Sequence, residues 1–296
     1  MLVVVLLVSL AVIALAFVAV LLAAARQRGQ LQPNSEAIAL GAVTTFFDTL
    51  GIGCFAPTTA WMKLRKMVPD SFLPATLNTG FAPPTFVQAL IFINLIRVDV
   101  VLLAACIAAS VAGATFGAPL VMRLPVRAVQ GVVGIALLIA AGLYALANLG
   151  WLPAGGDALA LPTAWFAVAV AVHFVLGALM TFGIGLYAPS LILLSLLGLN
   201  PAAAFPIMMG ACAFLMPACG MRFVRSERID LRVVLGLAIG GIPAVLLAAY
   251  VVKSLPLTTL RWGVVVVVLY AAALLLRAAT KAAQPPAAAA DAAAAR

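Results

Sequence analysis

The chain has 296 residues, of which 66% are hydrophobic and only 8% are charged, and its formal net charge is +9. An ordinary soluble domain carries about a quarter charged residues, so this composition excludes one and predicts a polytopic membrane protein. The basic residues stand at the ends of apolar runs, which is typical of topology signals and not of a nucleic-acid-binding patch. The cysteines lie inside apolar runs without CxxC spacing, which predicts neither a disulfide framework nor a metal site. They are Cys54, Cys106, Cys212 and Cys219.

Taken in order, the chain begins with an apolar run at residues 1–25, long enough to cross a bilayer as an N-terminal helix. Two regions follow, 37–149 and 163–278, and each combines one glycine-containing apolar segment with three further spans. The alanine- and proline-rich residues 281–296 are expected to form a disordered tail.

The two regions are related by an internal duplication, at an offset of 132 positions that takes Thr49 to Thr181. Six residues of the first segment recur unchanged at this offset: Thr49, Gly51, Ile52, Gly53, Ala56 and Pro57. Pro69 and Pro74 recur as Pro201 and Pro206. Duplicated membrane segments are typical of secondary transporters.

Each glycine segment predicts a helix, a break and a second helix. Two glycines relieve the restriction on the backbone, and a proline four positions later suits the first turn of a new helix. Such a break exposes unpaired N–H groups and the positive end of a helix dipole, which together favour an anion site. Close helix packing is the alternative role for these glycines, which are Gly51, Gly53, Gly183 and Gly185.

The distribution of the 17 basic residues indicates how the two regions lie in the membrane. If each broken segment is a re-entrant hairpin, 14 of them lie in the cytoplasm and 3 outside, whereas full crossings divide them 7 to 10. The positive-inside rule favours the hairpins. The predicted fold is an all-α polytopic membrane protein with two inverted repeats, preceded by an extra N-terminal helix. Each repeat is a broken-helix re-entrant hairpin plus three transmembrane helices.

Two further stretches accompany the duplicated breaks: Ala-Thr-Leu-Asn at 75–78 and Arg-Ile-Asp-Leu at 228–231. With the breaks, they resemble the TauE/SafE family of membrane transporters for sulfite and organosulfonates, over residues 37–278. The resemblance implies transport, with export the commoner direction, and it implies no catalytic residue. Many members of that family carry more consecutive glycines at the break, where this chain has Cys54 and Leu186, so the site is expected to be narrower.

The residues next to the breaks form the candidate substrate site. Hydroxyl groups flank both breaks and could help backbone N–H groups to hold sulfonate oxygens, although such hydroxyls most often bond back to their own helix. The second span of each half is expected to be interrupted beside the breaks, with a local proline kink as the alternative. Phe55 and Tyr187 are expected to line or gate the cavity. The candidates are Thr49, Gly51, Gly53, Cys54, Phe55, Thr58, Asn78, Thr79, Thr181, Gly183, Gly185, Tyr187, Ser190, Gly210 and Cys212.

Asp48 is the only carboxylate well inside an apolar stretch of the first repeat. Intramembrane acids are costly and usually functional, so Asp48 is the candidate for proton coupling, with a helix cap as the alternative. His173, the only histidine, could relay a proton, but a satisfied core histidine is the preferred interpretation. Asp99 and Asp230 begin spans and are predicted helix N-caps.

We therefore expect a secondary transporter, and not an enzyme, for small sulfur oxyanions or organosulfonates such as sulfite or sulfoacetate. It would work by alternating access, hold the anion at paired half-helix N-termini, use protons as a coupling ion and need no cofactor. We expect a multi-pass protein of the bacterial inner (plasma) membrane with a cytoplasmic C-terminus. A transporter of another small carboxylate or inorganic anion is one alternative, and a membrane scaffold or assembly factor is the other. Neither GxSxG nor HExxH occurs in the chain, which disfavours an intramembrane enzyme.

The hairpin arrangement predicts which loops a membrane-impermeant thiol reagent reaches. Single cysteines placed at Lys66 and Arg225 are labelled only from the cytoplasmic side, and one at Gly155 only from outside. Labelling of Lys66 and Arg225 from opposite sides would contradict the inverted repeats and support full crossings.

Overall fold

The computed structural model describes residues 2–51, 53–117, 126–151, 156–181, 183–225, 229–254 and 257–280. The predicted disordered tail at 281–296 lies outside the described residues. Residue 155 also lies outside them; it belongs to the connector between the two regions, from Gly150 to Leu161, which is predicted to lie on the external side. All regular elements in the described residues are helices. The predicted all-helical class is therefore confirmed.

Seven helices of the described residues precede the connector. They are α1 (Leu2–Gln27), α2 (Ser35–Thr49), α3 (Phe55–Arg65), α4 (Leu73–Gly80), α5 (Ala82–Leu95), α6 (Val100–Ala112) and α7 (Val126–Asn148). A 3-10 turn (Asp70–Phe72) leads into α4, and a π-helical turn (Gly113–Gly117) extends α6. The helices after the connector are α8 (Thr163–Met180), α9 (Tyr187–Leu196), α10 (Pro201–Arg225), α11 (Leu231–Ser254) and α12 (Leu257–Thr280).

Five of the described helices are long and apolar enough to cross a membrane: α1, α8, α10, Leu231–Val251 of α11 and Trp262–Thr280 of α12. The helices that follow the two breaks are much shorter, with 11 residues in α3 and 10 in α9. At about 1.5 Å per residue, each extends roughly 15 Å, about half of the hydrocarbon core. Both therefore have the length of half-helices.

The two halves of the chain present their helices in the same order. The offset of the duplication takes α2 to α8, α3 to α9, the α4–α5 pair to α10, α6 to α11 and α7 to α12. The predicted caps are confirmed: Asp99 accepts the N–H of Leu102 at 2.7 Å, and Asp230 accepts that of Arg232 at 2.9 Å. Helix α2 packs along α11, and α8 packs along α6. Equivalent helices thus make equivalent contacts with the halves exchanged.

Small residues allow these two helix pairs to approach closely. A side chain added at Gly177 in α8 would collide with the backbone oxygen of Ser110 in α6. In the other pair, a Cβ added at Gly241 in α11 would lie 2.8 Å from Thr45 Oγ1 in α2. The offset of 132 relates Thr45 to Gly177, and an offset one residue shorter, 131, relates Ser110 to Gly241. The glycine therefore changes helix while the close approach is kept.

The second span differs between the halves, and one prediction about it is wrong. In the first half the span is divided between α4 and α5, where Pro83 and Pro84 remove backbone donors and crowd the preceding turn. In the second half α10 is continuous through Gly210 and Cys212, so no interruption occurs at these two residues. The counterparts of the two prolines are Leu215 and Met216. These residues keep their backbone N–H groups, and α10 also continues through its own single prolines, Pro206 and Pro217.

Helix α1 has no counterpart in the duplication and lies against both halves. It packs on α5 and α10. Phe17 of α1 meets Phe86 of α5 edge to face, with 5.8 Å between the ring centroids, and a Cβ added at Gly220 of α10 would lie 2.8 Å from the Phe17 ring. The N-terminal helix therefore packs against the second span of each half.

The close approach of α8 and α6 predicts that Gly177→Ala lowers the free energy of unfolding by about 1–3 kcal/mol, because the new methyl group meets the backbone of Ser110. Gly142→Ala is the matched control. In the described residues no atom lies within 4 Å of a Cβ built at Gly142, so helix propensity raises stability by up to about 1 kcal/mol. Thermal unfolding in detergent measures both, and equal melting temperatures would contradict the packing.

Candidate functional site

The backbone at both helix breaks has conformations that glycine adopts readily. Gly51 and Gly53 have φ angles of +95° and +85°, and Gly183 has +82°. Residues with a Cβ rarely adopt such angles, so these three glycines allow the first helix of each pair to end. Gly185 is not among the residues with positive φ, and in the described residues no atom lies within 4 Å of a Cβ built on it. Gly185 thus leaves open space at the second break.

Two helices begin directly after these breaks, α3 after Cys54 and α9 after Leu186. Neither of these N-cap side chains accepts a capping hydrogen bond. Pro57 and Pro189 occupy the third position of each helix, where a missing N–H leaves no donor unpaired. The N–H groups of the first two positions have no partner within their own helix.

A small cavity lies where the two breaks meet. Its lining residues are Asp48, Gly53, Cys54, Phe55, Thr85, Met180, Gly185, Leu186, Tyr187, Cys212 and Met216. The cavity has a volume of about 20 Å³, which is room for one or two water molecules. Segments that are far apart in the sequence therefore line one cavity.

A second cavity shares Gly53, Phe55, Gly185 and Tyr187 with the first. Its other lining residues are Ala56, Gly183, Ala188 and Pro189 at the breaks, Leu137 in α7, and Ala271, Leu274 and Leu275 in α12. The first turns of α3 and α9 both line this space, so two helix N-termini face it, each with roughly half a positive charge. Phe55 and Tyr187 line both cavities, and their role in lining or gating the site stays a prediction.

Asp48 is buried and satisfies the first break directly. Its Oδ1 accepts the backbone N–H of Cys54 at 2.8 Å, and its Oδ2 accepts an amide hydrogen of Gln88 at 3.0 Å. Gln88 donates its other amide hydrogen to Thr49 Oγ1 at 2.8 Å and accepts the hydroxyl of Tyr187 at 2.7 Å. The chain of hydrogen bonds therefore joins the first break to the first residue of α9.

Seven of the predicted site residues line at least one of the two cavities. Gly53, Phe55, Gly185 and Tyr187 line both, Cys54 and Cys212 line only the first, and Gly183 lines only the second. The others do not line either cavity: Thr49, Gly51, Thr58, Asn78, Thr79, Thr181, Ser190 and Gly210. Thr49 and Thr181 donate to carbonyl groups of their own helices, Thr45 O and Ala178 O. These two hydroxyls thus have the alternative role weighed from the sequence.

The buried histidine is satisfied, as the preferred interpretation of the sequence expected. Since a carbonyl only accepts, His173 Nδ1 donates to Ala169 O at 2.8 Å, and Nε2 is left to accept the hydroxyl of Ser190 at 2.9 Å. Ser110 donates to the backbone oxygen of His173 at 3.2 Å. The hydroxyl hydrogen of Ser190 therefore points at His173 and away from the first turn of α9.

Sequence reasoning missed Gln88, the residue on which the buried network depends. Gln88 is fully buried in α5, between the two breaks in space and far from either in the chain. The available signal was a glutamine that interrupts the apolar run from Phe86 to Ile93, which is unusual in a membrane helix. Met180 and Met216, which line the first cavity, carry no such signal because methionine is ordinary in apolar helices.

Apolar helices long enough to cross a membrane, and two helix breaks beside one cavity, are typical of membrane transport proteins. Residues 165–295 match the family model described as sulfite exporter TauE/SafE. The resemblance to this transporter family is thereby confirmed over that part of the chain. The comparisons with curated proteins and with solved structures give no significant match.

The contact between His173 and Ser190 predicts that Ser190→Ala lowers the free energy of unfolding by about 1–3 kcal/mol, because it leaves the buried Nε2 without a donor. Ser195→Ala in the same helix is the control. Ser195 is equally buried, and its hydroxyl makes no hydrogen bond within the described residues, so its removal costs nothing. Thermal unfolding in detergent distinguishes the two variants. A loss of anion binding by Ser190→Ala at unchanged stability would instead return this hydroxyl to the substrate site.

Proposed function

We propose that this protein is a secondary transporter that exports small sulfur oxyanions or organosulfonates, such as sulfite or sulfoacetate. The observation that carries the proposal is the meeting of two half-helix N-termini, α3 and α9, at one cavity lined by Gly53 and Gly185. Free backbone N–H groups and two converging helix dipoles bind an anion through hydrogen bonds and charge together. The match to the sulfite exporter family supports the choice of substrate class.

The lining of the two cavities suits an anion that must also be released. Neither lining contains a lysine, an arginine or a histidine in the described residues, so no full positive charge holds the substrate. Two helix N-termini supply roughly one unit of positive charge in total, spread over several N–H groups. Sulfite and sulfonate oxygens form hydrogen bonds with such donors, and binding of this strength permits turnover.

Alternating access would follow from the relation between the halves. We propose that the halves are inverted in the membrane, with each broken segment a re-entrant hairpin, because this places 14 of 17 basic residues in the cytoplasm. The exchanged packing of α2 on α11 and of α8 on α6 supports two similar units that move against each other. Phe55 and Tyr187, which both cavities share, would open one side of the site and close the other.

Asp48 would couple a proton to the anion. Its carboxylate holds the N–H of Cys54, one of the donors that the first break makes available, and its negative charge opposes an anion in the same cavity. Protonation removes that opposition, so proton and anion bind together. A divalent anion accompanied by one proton still carries one net negative charge, and an inside-negative membrane potential drives that charge outward.

The proposed site predicts that Gly185→Val leaves the protein folded and inserted but abolishes binding of sulfite and methanesulfonate. The added side chain fills space that is open in the structure, and Gly185 has no positive φ to be strained. Gly53→Val should abolish binding too, with additional backbone strain because φ is +85°. Titration calorimetry on purified protein measures the affinity, with Gly142→Val in α7 as the control.

If the Gly185 and Gly53 variants both bind these anions as tightly as the parent protein, the anion site is not at the breaks. Uptake of the same anions into liposomes, compared with protein-free liposomes, tests transport itself.

A further inference from the structure

The hydrogen bonds around Asp48 all run in one direction. Tyr187 donates to Gln88, Gln88 donates to Asp48 and to Thr49, and Thr49 donates onward to Thr45 O. Gln88 thereby uses both of its amide hydrogens and its carbonyl oxygen, and it is fully buried. An ionised carboxylate only accepts hydrogen bonds, and this arrangement supplies it with donors alone.

A proton on Asp48 can take a lone pair that no donor occupies, but neither the Cys54 N–H nor the Gln88 amide NH2 group offers it an acceptor. The backbone N–H of Cys54 at Oδ1 cannot turn away, whereas the Gln88 amide can, so only a proton on Oδ2 that points toward Gln88 can be given an acceptor. There it meets the amide NH2 group of Gln88, and two donors then face each other. Rotation of the Gln88 amide by half a turn relieves the conflict, because it brings Oε1 to the new carboxyl hydrogen.

The same rotation changes what Tyr187 does. After it, the Gln88 amide presents hydrogens to the phenol oxygen, so Tyr187 accepts where it previously donated. The phenol hydrogen is then released from Gln88, with the Thr85 hydroxyl as the other hydrogen-bonding neighbour of the phenol. Tyr187 lines both cavities at the first position of α9. We propose that Gln88 is a positioning residue, an amide switch that converts protonation of Asp48 at the first break into a hydrogen-bond donor for the anion at the second break. This inference rests on the proposed anion transport.

The acid and the amide of the switch exist in only the first half of the duplication, which argues against a role in the common fold. At the offset of 132, the counterpart of Asp48 is Met180 and that of Gln88 is Gly220. The second half forms the equivalent helices and packs them in the equivalent way without these two polar groups. A buried acid and a buried amide that the fold does not need are better explained by function.

Asp48 is the carboxylic acid of this cluster. The other titratable side chains acting on it are the Cys54 thiol, the Tyr187 phenol and the Cys212 thiol. Thiols and phenols ordinarily ionise above pH of about 8. From α11, which packs along α2, Leu237 lies against Gly41 and Gly241 lies beside Thr45, and neither residue is charged.

Infrared spectroscopy tests the switch without any substrate. The carboxyl band of protonated Asp48 is assigned by its loss in Asp48→Asn. In Gln88→Leu the carboxyl group loses its acceptor, so its band should shift to higher wavenumber. Asn94→Leu, in the same helix but bonded to Leu90 O, should leave the band in place. An unshifted band in Gln88→Leu would overturn the proposal.

The pH dependence of methanesulfonate affinity tests the transmission, since this sulfonate does not itself titrate near neutral pH. In the parent protein affinity should rise as pH falls through the titration of Asp48. Tyr187→Phe leaves Gln88 and Asp48 in place but removes the hydroxyl that donates to the anion. The gain in methanesulfonate affinity at low pH should therefore be about tenfold smaller than in the parent protein. Gln88→Leu should also weaken the pH dependence. At high pH this variant should still bind more tightly than Tyr187→Phe, because the Tyr187 phenol no longer donates to Gln88.

Asp48→Asn should bind with pH-independent affinity, because its amide donates to Gln88 as the protonated acid does. A pH dependence in Tyr187→Phe equal to that of the parent would overturn the switch. Absence of methanesulfonate and sulfite binding by the parent at every pH would overturn the proposed function, while the infrared shift would still decide whether Gln88 is bonded to the protonated carboxyl group.

Discussion

Hydrocarbon offers no hydrogen bonds, and this constraint governs the whole structure. Helices can stop inside a bilayer only where protein or water takes over their free N–H and C=O groups. This chain stops two helices, after Thr49 and after Met180, and residues that follow both stops line one cavity. Asp48 takes over one of the freed donors, the N–H of Cys54. Each break is tolerable because the rest of the molecule surrounds it.

The two halves share their geometry and differ in their chemistry. Equivalent helices pack in equivalent ways, and close approach is kept even where glycine has moved from one helix to its partner, as at Gly177 and Gly241. The first half contributes Asp48 and Gln88 to the region between the breaks, whereas Met180 and its neighbour Cys212, with 3.5 Å between the sulfurs, come from the second. The two halves thus provide two matched helix ends, but the first half adds polar side chains beside them and the second half adds sulfur-containing side chains.

Local signals predicted the parts of the site that depend on the backbone. Gly51, Gly53 and Gly183 have positive φ, and the helices begin where the prolines allow. The interruption expected within α10 was wrong because a single small residue does not end a helix when no proline pair removes its donors. Side-chain partners were harder to predict: Ser190 bonds to His173, and Tyr187 bonds to Gln88 from the other half of the chain.

The sequence by itself determined the class of protein, the helical order of the two halves and the positions of the breaks. These follow from hydropathy, from glycine and proline, and from the repeat, all of which act locally or at a constant offset. Only the tertiary structure decided that both breaks line one cavity and that Gln88 joins them. The physical reason is that a side chain's hydrogen-bond partner depends on which helix faces it across the core, and composition and periodicity do not specify that neighbour.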